Sequence, residues 1–322
     1  MYIAYRRFLR QVILWLLFFL PLVRRQKVER WLRGREEARK LGLADSVVVS
    51  YGKSGRTWLR VMLSRFFQVK HGLSERHLIG FDNLHRKNPA IPKIFFTHDN
   101  YLKDYTKNAG SKVDYAGAKV VLLVRHPADV AVSQHFQWKF RMRKAKKALN
   151  DYPDEDAELS VFDFVMQEGA GLPKILDFMN LWARAREAAR LQALLIVRYE
   201  DMRARPQETL GRILEFIGTP GEPAQLAEAV DFASVENMRA MEQKKTFWLS
   251  GSRMKPKDRS NPQSFKVRRA KVGGYRDYFT DEEVARIDEM IATRLDPSFG
   301  YASAEPASGA AAAEDARRAG QA

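Results

Sequence analysis

The chain has 322 residues, 45% of them apolar, which is enough for one substantial globular domain. It contains no cysteine, which excludes disulfides and thiolate metal sites and favours a reducing compartment. The formal net charge of +16 predicts an anionic partner, whether a nucleotide, a nucleic acid or an anionic lipid surface.

Residues 1–40 form a separate basic and apolar segment. Its apolar run, Val12–Val23, is interrupted only by Pro21 and has arginines on both flanks. A bilayer span needs ~20 apolar residues, and a longer span here would bury three arginines. The pattern therefore slightly favours peripheral membrane contact through residues 1–25 over a helix packed on the domain, and a full span ranks last.

The globular domain is predicted at residues 45–300, before an Ala/Gly/Glu-rich tail at 301–322 that is predicted to be disordered. Short apolar runs predict buried strands at Val47–Val49, Lys93–Thr97, Lys119–Val124 and Ala193–Tyr199. Amphipathic patterns predict helices from Thr57 and at Asp129–Phe140, Val161–Glu168, Leu172–Leu191, Pro206–Ile217, 222–243 and Asp281–Arg294, with loops and short helices at 70–92.

Strands that alternate with helices indicate an α/β protein, here a P-loop-like three-layer fold with a central parallel sheet flanked by helices. Ligands of such folds bind at the carboxyl ends of the strands. The chain reaches these ends at Tyr51–Arg56, His98, Arg125 and Tyr199. We therefore expect these four places to form a single site.

The loop Tyr51–Arg56 contains two glycines and leads from a strand into a helix. Free backbone N–H groups and the helix dipole attract anions at such a turn, and Lys53 adds a positive charge. The loop is predicted to hold a phosphate, although a plain strand-to-helix turn with a surface lysine is the alternative. It is not a Walker A motif, because the GxxxxGK[ST] spacing is broken.

A second constellation spans Leu122–Phe136, where Arg125 ends a buried strand and Ser133 lies in the following helix. A guanidinium can bind a phosphate through two parallel hydrogen bonds, and a serine hydroxyl can share that phosphate. The alternative is that Arg125 pairs with a structural carboxylate and that Asp129 caps the helix.

Four motifs in this order resemble those of sulfotransferases that use 3′-phosphoadenosine 5′-phosphosulfate (PAPS), the cytosolic type included. The matches are Tyr51–Trp58 to YPKSGTTW, Arg125–Phe136 to RNPxDVxVSxxHF, Tyr199–Met202 to YEDL and Arg268–Thr280 to RKGxxGDWxxxFT. Their order and spacing cover most of residues 45–295. The resemblance implies the fold, the donor and the roles of individual residues.

The implied roles fall into three groups. The 5′-phosphosulfate end would be held by Lys53, Ser54, Gly55, Thr57 and Trp58. The 3′-phosphate would be held by Arg125 and Ser133 with Arg268, Arg269 and Ala270, and the adenine by Trp58, Tyr199, Ser234 and Met238. Lys53 would neutralise the leaving phosphate oxygen, and His98 would take the acceptor's proton. No metal is needed, because cationic side chains meet the charge.

The sequence also departs from the family pattern. Arg56 replaces a threonine and is expected either to contact a phosphate or to point outward. Phe96 stands where many members have a second catalytic lysine. Gly52 replaces a proline, and Ala270 replaces a glycine. The family's dimerisation pattern is degraded at Arg276–Ala285, so the oligomeric state stays open.

The function predicted is sulfuryl transfer from PAPS to a hydroxyl or amine acceptor, either lipid-linked or glycan-like, at the cytoplasmic face of a membrane. The alternatives are a P-loop nucleotide kinase and a catalytically inactive nucleotide-binding or membrane-associated protein. Nucleic acid is not predicted, because aromatic side chains are not interleaved with the basic ones. Acceptor walls are expected at 70–92, 137–170 and 240–265. The basic run Lys139–Lys147 is either part of them or solvated surface.

Overall fold

Four strands form one parallel sheet in the computed structural model, which describes residues 2–154, 157–188, 191, 193–244, 258, 260–267 and 270–301. They are Ser46–Ser50 (β1), Ile94–Thr97 (β2), Lys119–Val124 (β3) and Ala193–Arg198 (β4), in the order β2-β1-β3-β4. In the register, Val48 lies beside Phe96 of β2 and Val121 of β3. The predicted strands and the parallel α/β sheet flanked by helices are confirmed.

The α-helices of the described residues surround this sheet. They are Tyr2–Leu16 (α1), Leu22–Leu41 (α2), Arg56–His71 (α3), Leu102–Thr106 (α4), Pro127–Phe140 (α5), Lys144–Leu149 (α6), Val161–Met166 (α7), Leu172–Ala188 (α8), Tyr199–Ala204 (α9), Pro206–Phe216 (α10), Pro223–Phe232 (α11), Val235–Lys244 (α12) and Asp281–Arg294 (α13). Short 3-10 turns lie at Val113–Tyr115, Pro262–Ser264, Gly274–Tyr278 and Pro297–Phe299.

Two predictions of helices need correction. The helix predicted at 222–243 is divided into α11 and α12, because the Ser234 hydroxyl accepts a hydrogen bond from the Asn237 N–H at 3.3 Å and starts a new helix. No helix follows His71 before β2. Residues 72–93 instead cover α3 with apolar side chains, Leu78, Ile79 and Leu84 among them, that are fully buried in the core.

The sheet separates two apolar layers. Val48, Val121 and Leu123 pack with α3 and α10, whereas Val47 and Leu122 pack with α5 and α8 on the opposite face. Successive side chains of a strand point to opposite faces, so a strand with helices on both sides must be apolar throughout. This requirement is why the strands appear in the sequence as nearly continuous apolar runs.

The N-terminal helix α2 packs against α4 at the β2 edge of the sheet. Its Glu37 carboxylate accepts hydrogen bonds from the Thr97 hydroxyl at 3.4 Å and the Tyr101 N–H at 3.3 Å. Its Arg30 guanidinium donates to Asp104 and to the Leu149 carbonyl, each at 3.0 Å. Helix α2 is therefore attached to the strand end that precedes His98.

The segment before and at the start of α2 is different. Eight of the fourteen large apolar side chains exposed in the described part of the chain are Phe8, Leu9, Trp15, Leu16, Phe18, Phe19, Leu22 and Val23. We call these eight side chains the apolar tip. Among the helices of the described residues, none has the length and apolar character that a bilayer span requires.

Candidate active site

The carboxyl ends of all four strands meet at one cavity of about 330 Å³. Its wall includes Lys53 after β1, His98 after β2, Arg125 after β3 and Tyr199 after β4. These side chains are distant in the sequence and come together because parallel strands end at the same edge of the sheet. The cavity is the place where the predicted site residues can act together.

The loop after β1 has a backbone that its sequence explains. Gly55, at the start of α3, has φ 91°, and Lys53 has φ 75°. A Cβ atom on Gly55 would lie 2.6 Å from Cδ2 of Tyr199, so the position needs glycine for its conformation and for the close approach of that ring. The loop and the wall formed by α9 are consequently packed as one unit.

His98 is held in one tautomer by its two neighbours. Its Nδ1 lies 2.7 Å from the Ser50 carbonyl, and its Nε2 lies 2.5 Å from Nη2 of Arg56. A carbonyl only accepts and a guanidinium only donates, so Nδ1 carries the proton and Nε2 carries a lone pair. Burial and then the charge of Arg56 hold the pKa of His98 well below its usual value, against the opposing effect of the Ser50 hydrogen bond. The imidazole is therefore neutral.

Arg125 is oriented by hydrogen bonds at the β3 end. Its Nη2 donates to the Asp129 carboxylate at 3.1 Å and to the Lys271 carbonyl at 3.0 Å. Asp129 also accepts the N–H groups of Gly273 at 3.0 Å and Tyr275 at 2.9 Å. Asp129 is thus the structural carboxylate of the alternative interpretation, but it does not cap the helix: it holds residues 271–275 at the cavity wall.

An apolar, mostly aromatic part of the cavity wall lies beside Arg125. The Trp58 indole donates from Nε1 to the Ala233 carbonyl at 2.9 Å, and its ring meets Tyr199 edge to face with centroids 5.9 Å apart. The Arg125 guanidinium lies 4.6 Å from the centroid of the Tyr199 ring, and Met238 completes the wall. Aromatic and thioether surfaces of this kind suit a planar base.

The structure brings together most of the predicted site residues. Those in the cavity wall are Lys53, Gly55, Arg56, Thr57, Trp58, His98, Arg125, Ser133, Tyr199, Met238 and Ala270. Ser54 is buried within the loop and Ser234 starts α12, and neither lines the cavity. The predicted contributions of Arg268 and Arg269 fall outside the described residues.

The structure shows the surroundings of three of the departures from the family pattern. Ala270, which stands in place of a glycine, has φ 56°, a backbone region that glycine adopts more readily. Arg56 does not point outward, because it lies in the cavity wall against His98. Phe96 does not line the cavity. Its ring packs against Arg60, whose Cζ lies 3.8 Å from the ring centroid.

Sequence reasoning did not single out the polar residues at the other end of the cavity, which are Asn100, Gln134, Lys146, Asn150, Tyr152 and Lys174. The expected wall at 137–170 does contribute, whereas none of residues 70–92 lines the cavity, so that expectation is wrong. Of the basic run, Lys146 lines the cavity, and Lys147 is buried with its ammonium 5.1 Å from the Trp138 ring centroid. Lys146 and Asn150 are four residues apart, a spacing that places two side chains on the same face of a helix. This spacing is the sequence signal that could have indicated that both line the cavity.

The comparisons with known proteins agree with this geometry. A family model described as the sulfotransferase domain matches residues 43–299. The chain is 24% identical to the flavonol 3-sulfotransferase of Flaveria bidentis over 83% of this chain and 88% of that protein. It is 25% identical to cytosolic sulfotransferase 5 of Arabidopsis thaliana over 79% and 80% of the two chains.

A crystal structure of a mouse sulfotransferase complexed with PAP matches at a TM-score of 0.50 and 18% identity, over 78% of this chain and 84% of that chain. This likeness supports the fold. The family match extends from just before β1 to the end of the last 3-10 turn and includes every strand end at the cavity. The chain therefore belongs to the sulfotransferase family.

Proposed function

We propose that the protein transfers a sulfuryl group from PAPS to a hydroxyl or amine acceptor. One observation carries the proposal: Lys53, Arg125 and the neutral His98 line the same cavity at the ends of three adjacent strands. PAPS has two anionic ends and a planar base, which match two cations and an aromatic cleft. The named activities of the relatives and the PAP complex of the mouse protein support the choice of donor.

The donor would lie across the two halves of the site. Loop 51–56 and the start of α3 would hold the 5′-phosphosulfate, because unpaired N–H groups of a helix N-terminus favour anions. Arg125 and Ser133 would hold the 3′-phosphate. The Asp129 carboxylate supports this role, since it orients the guanidinium without filling its other donor positions. The adenine would lie against the Trp58 and Tyr199 rings.

In the transfer step, His98 would accept the acceptor's proton at Nε2 while the acceptor oxygen forms its bond to sulfur. Lys53 would stabilise the negative charge on the phosphate oxygen as the bond from that oxygen to sulfur breaks. In the structure, Arg56 donates a hydrogen bond to Nε2 of His98. The acceptor hydroxyl would replace Arg56 as the donor to this nitrogen. Arg56 would then face the sulfuryl group as a second cation, a role that Phe96 cannot supply.

Replacing Lys53 or His98 tests the activity. We expect Lys53→Ala and His98→Ala each to lower the transfer of labelled sulfate from PAPS by about 100-fold or more, because each removes one group that acts in the transition state. Arg212→Ala, on the exposed face of α10, should keep full activity. Full activity in both site variants contradicts the proposal, and magnesium-dependent turnover of ATP would favour the kinase alternative.

The pH profile tests the pairing of Arg56 with His98. The neutral imidazole is the active form, and Arg56 lowers the pKa of His98. The acid limb of kcat/KM should therefore lie below the usual titration range of histidine and move to higher pH in Arg56→Thr. Arg56→Lys keeps the charge and should move the limb less. An acid limb at the same pH in all three proteins contradicts the pairing.

We further propose that the apolar tip lies on the cytoplasmic face of a membrane, where it would meet a lipid-linked or glycan-like acceptor. The tip is exposed, and Arg24, Arg25 and Lys27 follow it on α2, the arrangement that suits an anionic lipid surface. Helix α2 then leads to the active site, because Arg30 contacts the Leu149 carbonyl at the end of α6. The absence of cysteine favours the cytoplasmic side.

Vesicle flotation tests this contact. The full-length protein should float with vesicles of phosphatidylcholine and phosphatidylserine, and Phe18→Ser with Phe19→Ser should release most of it, because both rings are more than two-thirds exposed. The matched double variant Leu43→Ser with Val113→Ser removes exposed apolar side chains elsewhere and should float normally. A wild-type protein that stays in the unbound fraction contradicts membrane contact.

A further inference from the structure

The cavity has a polar end that the donor does not account for. It is formed by Asn100, Gln134, Lys146, Asn150, Tyr152 and Lys174, of which Lys146, Asn150 and Tyr152 lie in the predicted wall 137–170. We call this set the polar end. Gln134, Lys146 and Lys174 come from α5, α6 and α8, whereas Trp58 and Tyr199 lie at the starts of α3 and α9. Its chemistry indicates what the acceptor must carry.

The side chains of the polar end are held in place by one another. The Gln134 amide donates to the Tyr152 hydroxyl at 2.7 Å. The Asn150 amide donates to the backbone carbonyl of Lys146 at 2.9 Å, and the Lys174 ammonium donates to the Asn150 carbonyl at 3.2 Å. These bonds orient amide and hydroxyl groups at a cavity wall before any ligand binds, which lowers the entropic cost of binding polar groups there.

Two ammonium groups, Lys146 and Lys174, lie at the polar end, and within the described part of the chain neither forms an ion pair. The Lys174 Nζ donates to the backbone carbonyls of Asn150 and Gly169, whereas the Lys146 Nζ donates to no described residue and is exposed to the water of the cavity. Partial desolvation, and then the positive charges of Arg56 and Arg33, lower the pKa of Lys146. Positive charge is thus concentrated around Lys146.

The described wall offers one carboxylate, Asp129. That carboxylate accepts hydrogen bonds from Arg125 and from the N–H groups of Gly273 and Tyr275 on the donor side. It therefore cannot neutralise Lys146. A neutral apolar acceptor would remove water from Lys146 and supply no counter-charge, which is unfavourable for a cation. An anionic group would make a charge-assisted hydrogen bond with it.

We propose that the acceptor is a polyhydroxylated compound with an anionic group, a carboxylate or a phosphate, that pairs with Lys146. The inference rests on the proposed function and names the acceptor class for the same site. The side-chain amides of Asn100 and Gln134 and the hydroxyl of Tyr152 would bind neutral hydroxyls of this compound, since amides and phenols can both donate and accept hydrogen bonds. One further hydroxyl would lie at His98 Nε2 and receive the sulfuryl group.

Titration calorimetry on the full-length protein saturated with PAP tests the inference, because PAP occupies the donor half and leaves the polar end open. D-glucuronate and D-glucose 6-phosphate carry the two candidate anions, and D-glucose is their neutral counterpart. At least one anionic sugar should bind about tenfold more tightly than glucose, the effect of one charged hydrogen bond. Lys146→Gln should remove this preference, and Lys146→Arg should keep most of it.

Lys144→Gln is the matched control, because Lys144 is an exposed neighbour on α6, does not line the cavity, and its loss changes the net charge equally. It should keep the preference. Equal affinity for charged and neutral sugars, no binding of either anionic sugar, or equal behaviour of the two glutamine variants each overturns the inference. A protein that binds no PAP overturns the proposed function, and this inference with it, and is recognised before any sugar is added.

Discussion

The parallel pairing of β1 with β2 and β3 is the constraint on which the site depends. It places the segments after these strands at one edge of the sheet, so Lys53, His98 and Arg125 share a cavity although they are separated in the chain. The pairing also sets the 2.5 Å approach of Arg56 to His98, because α3 starts from the end of β1 and the histidine follows β2. A shift of register would separate the imidazole from its tautomer-determining neighbours.

The described wall of the cavity carries many more cations than carboxylates, and its one carboxylate, Asp129, pairs with Arg125. Like charges at short range in a partly desolvated space raise the free energy of the folded protein. Burial, and then the neighbouring positive charges, lower the pKa values of His98, Lys146 and Lys266. Anionic ligands would relieve the repulsion, which favours their binding. Burial and the charge of Arg56 also keep His98 neutral and able to accept a proton.

Local patterns in the sequence were sufficient for the strands, the parallel fold and the glycine-containing loop after β1. These features follow from the spacing of apolar side chains, from the glycines and from the residues at a helix start. All of these can be recognised from residues that are neighbours in the sequence. The polar end was not predictable in this way. Tyr152 and Lys174 reach the cavity only through packing of distant segments, and the partner of Arg56 depends on the alignment of two strands. The prediction that residues 70–92 form an acceptor wall was wrong, because apolar side chains of this loop pack into the core.

The central claim is that Arg125 and Lys53 bind opposite ends of one doubly phosphorylated nucleotide. Calorimetric titration with PAP and with adenosine 5′-phosphate, which lacks the 3′-phosphate, tests it most directly. In the wild-type protein PAP should bind about 100-fold more tightly than adenosine 5′-phosphate, as expected for a guanidinium–phosphate pair. In Arg125→Ala this preference should fall by about tenfold or more. An undiminished preference for PAP in that variant would contradict the account.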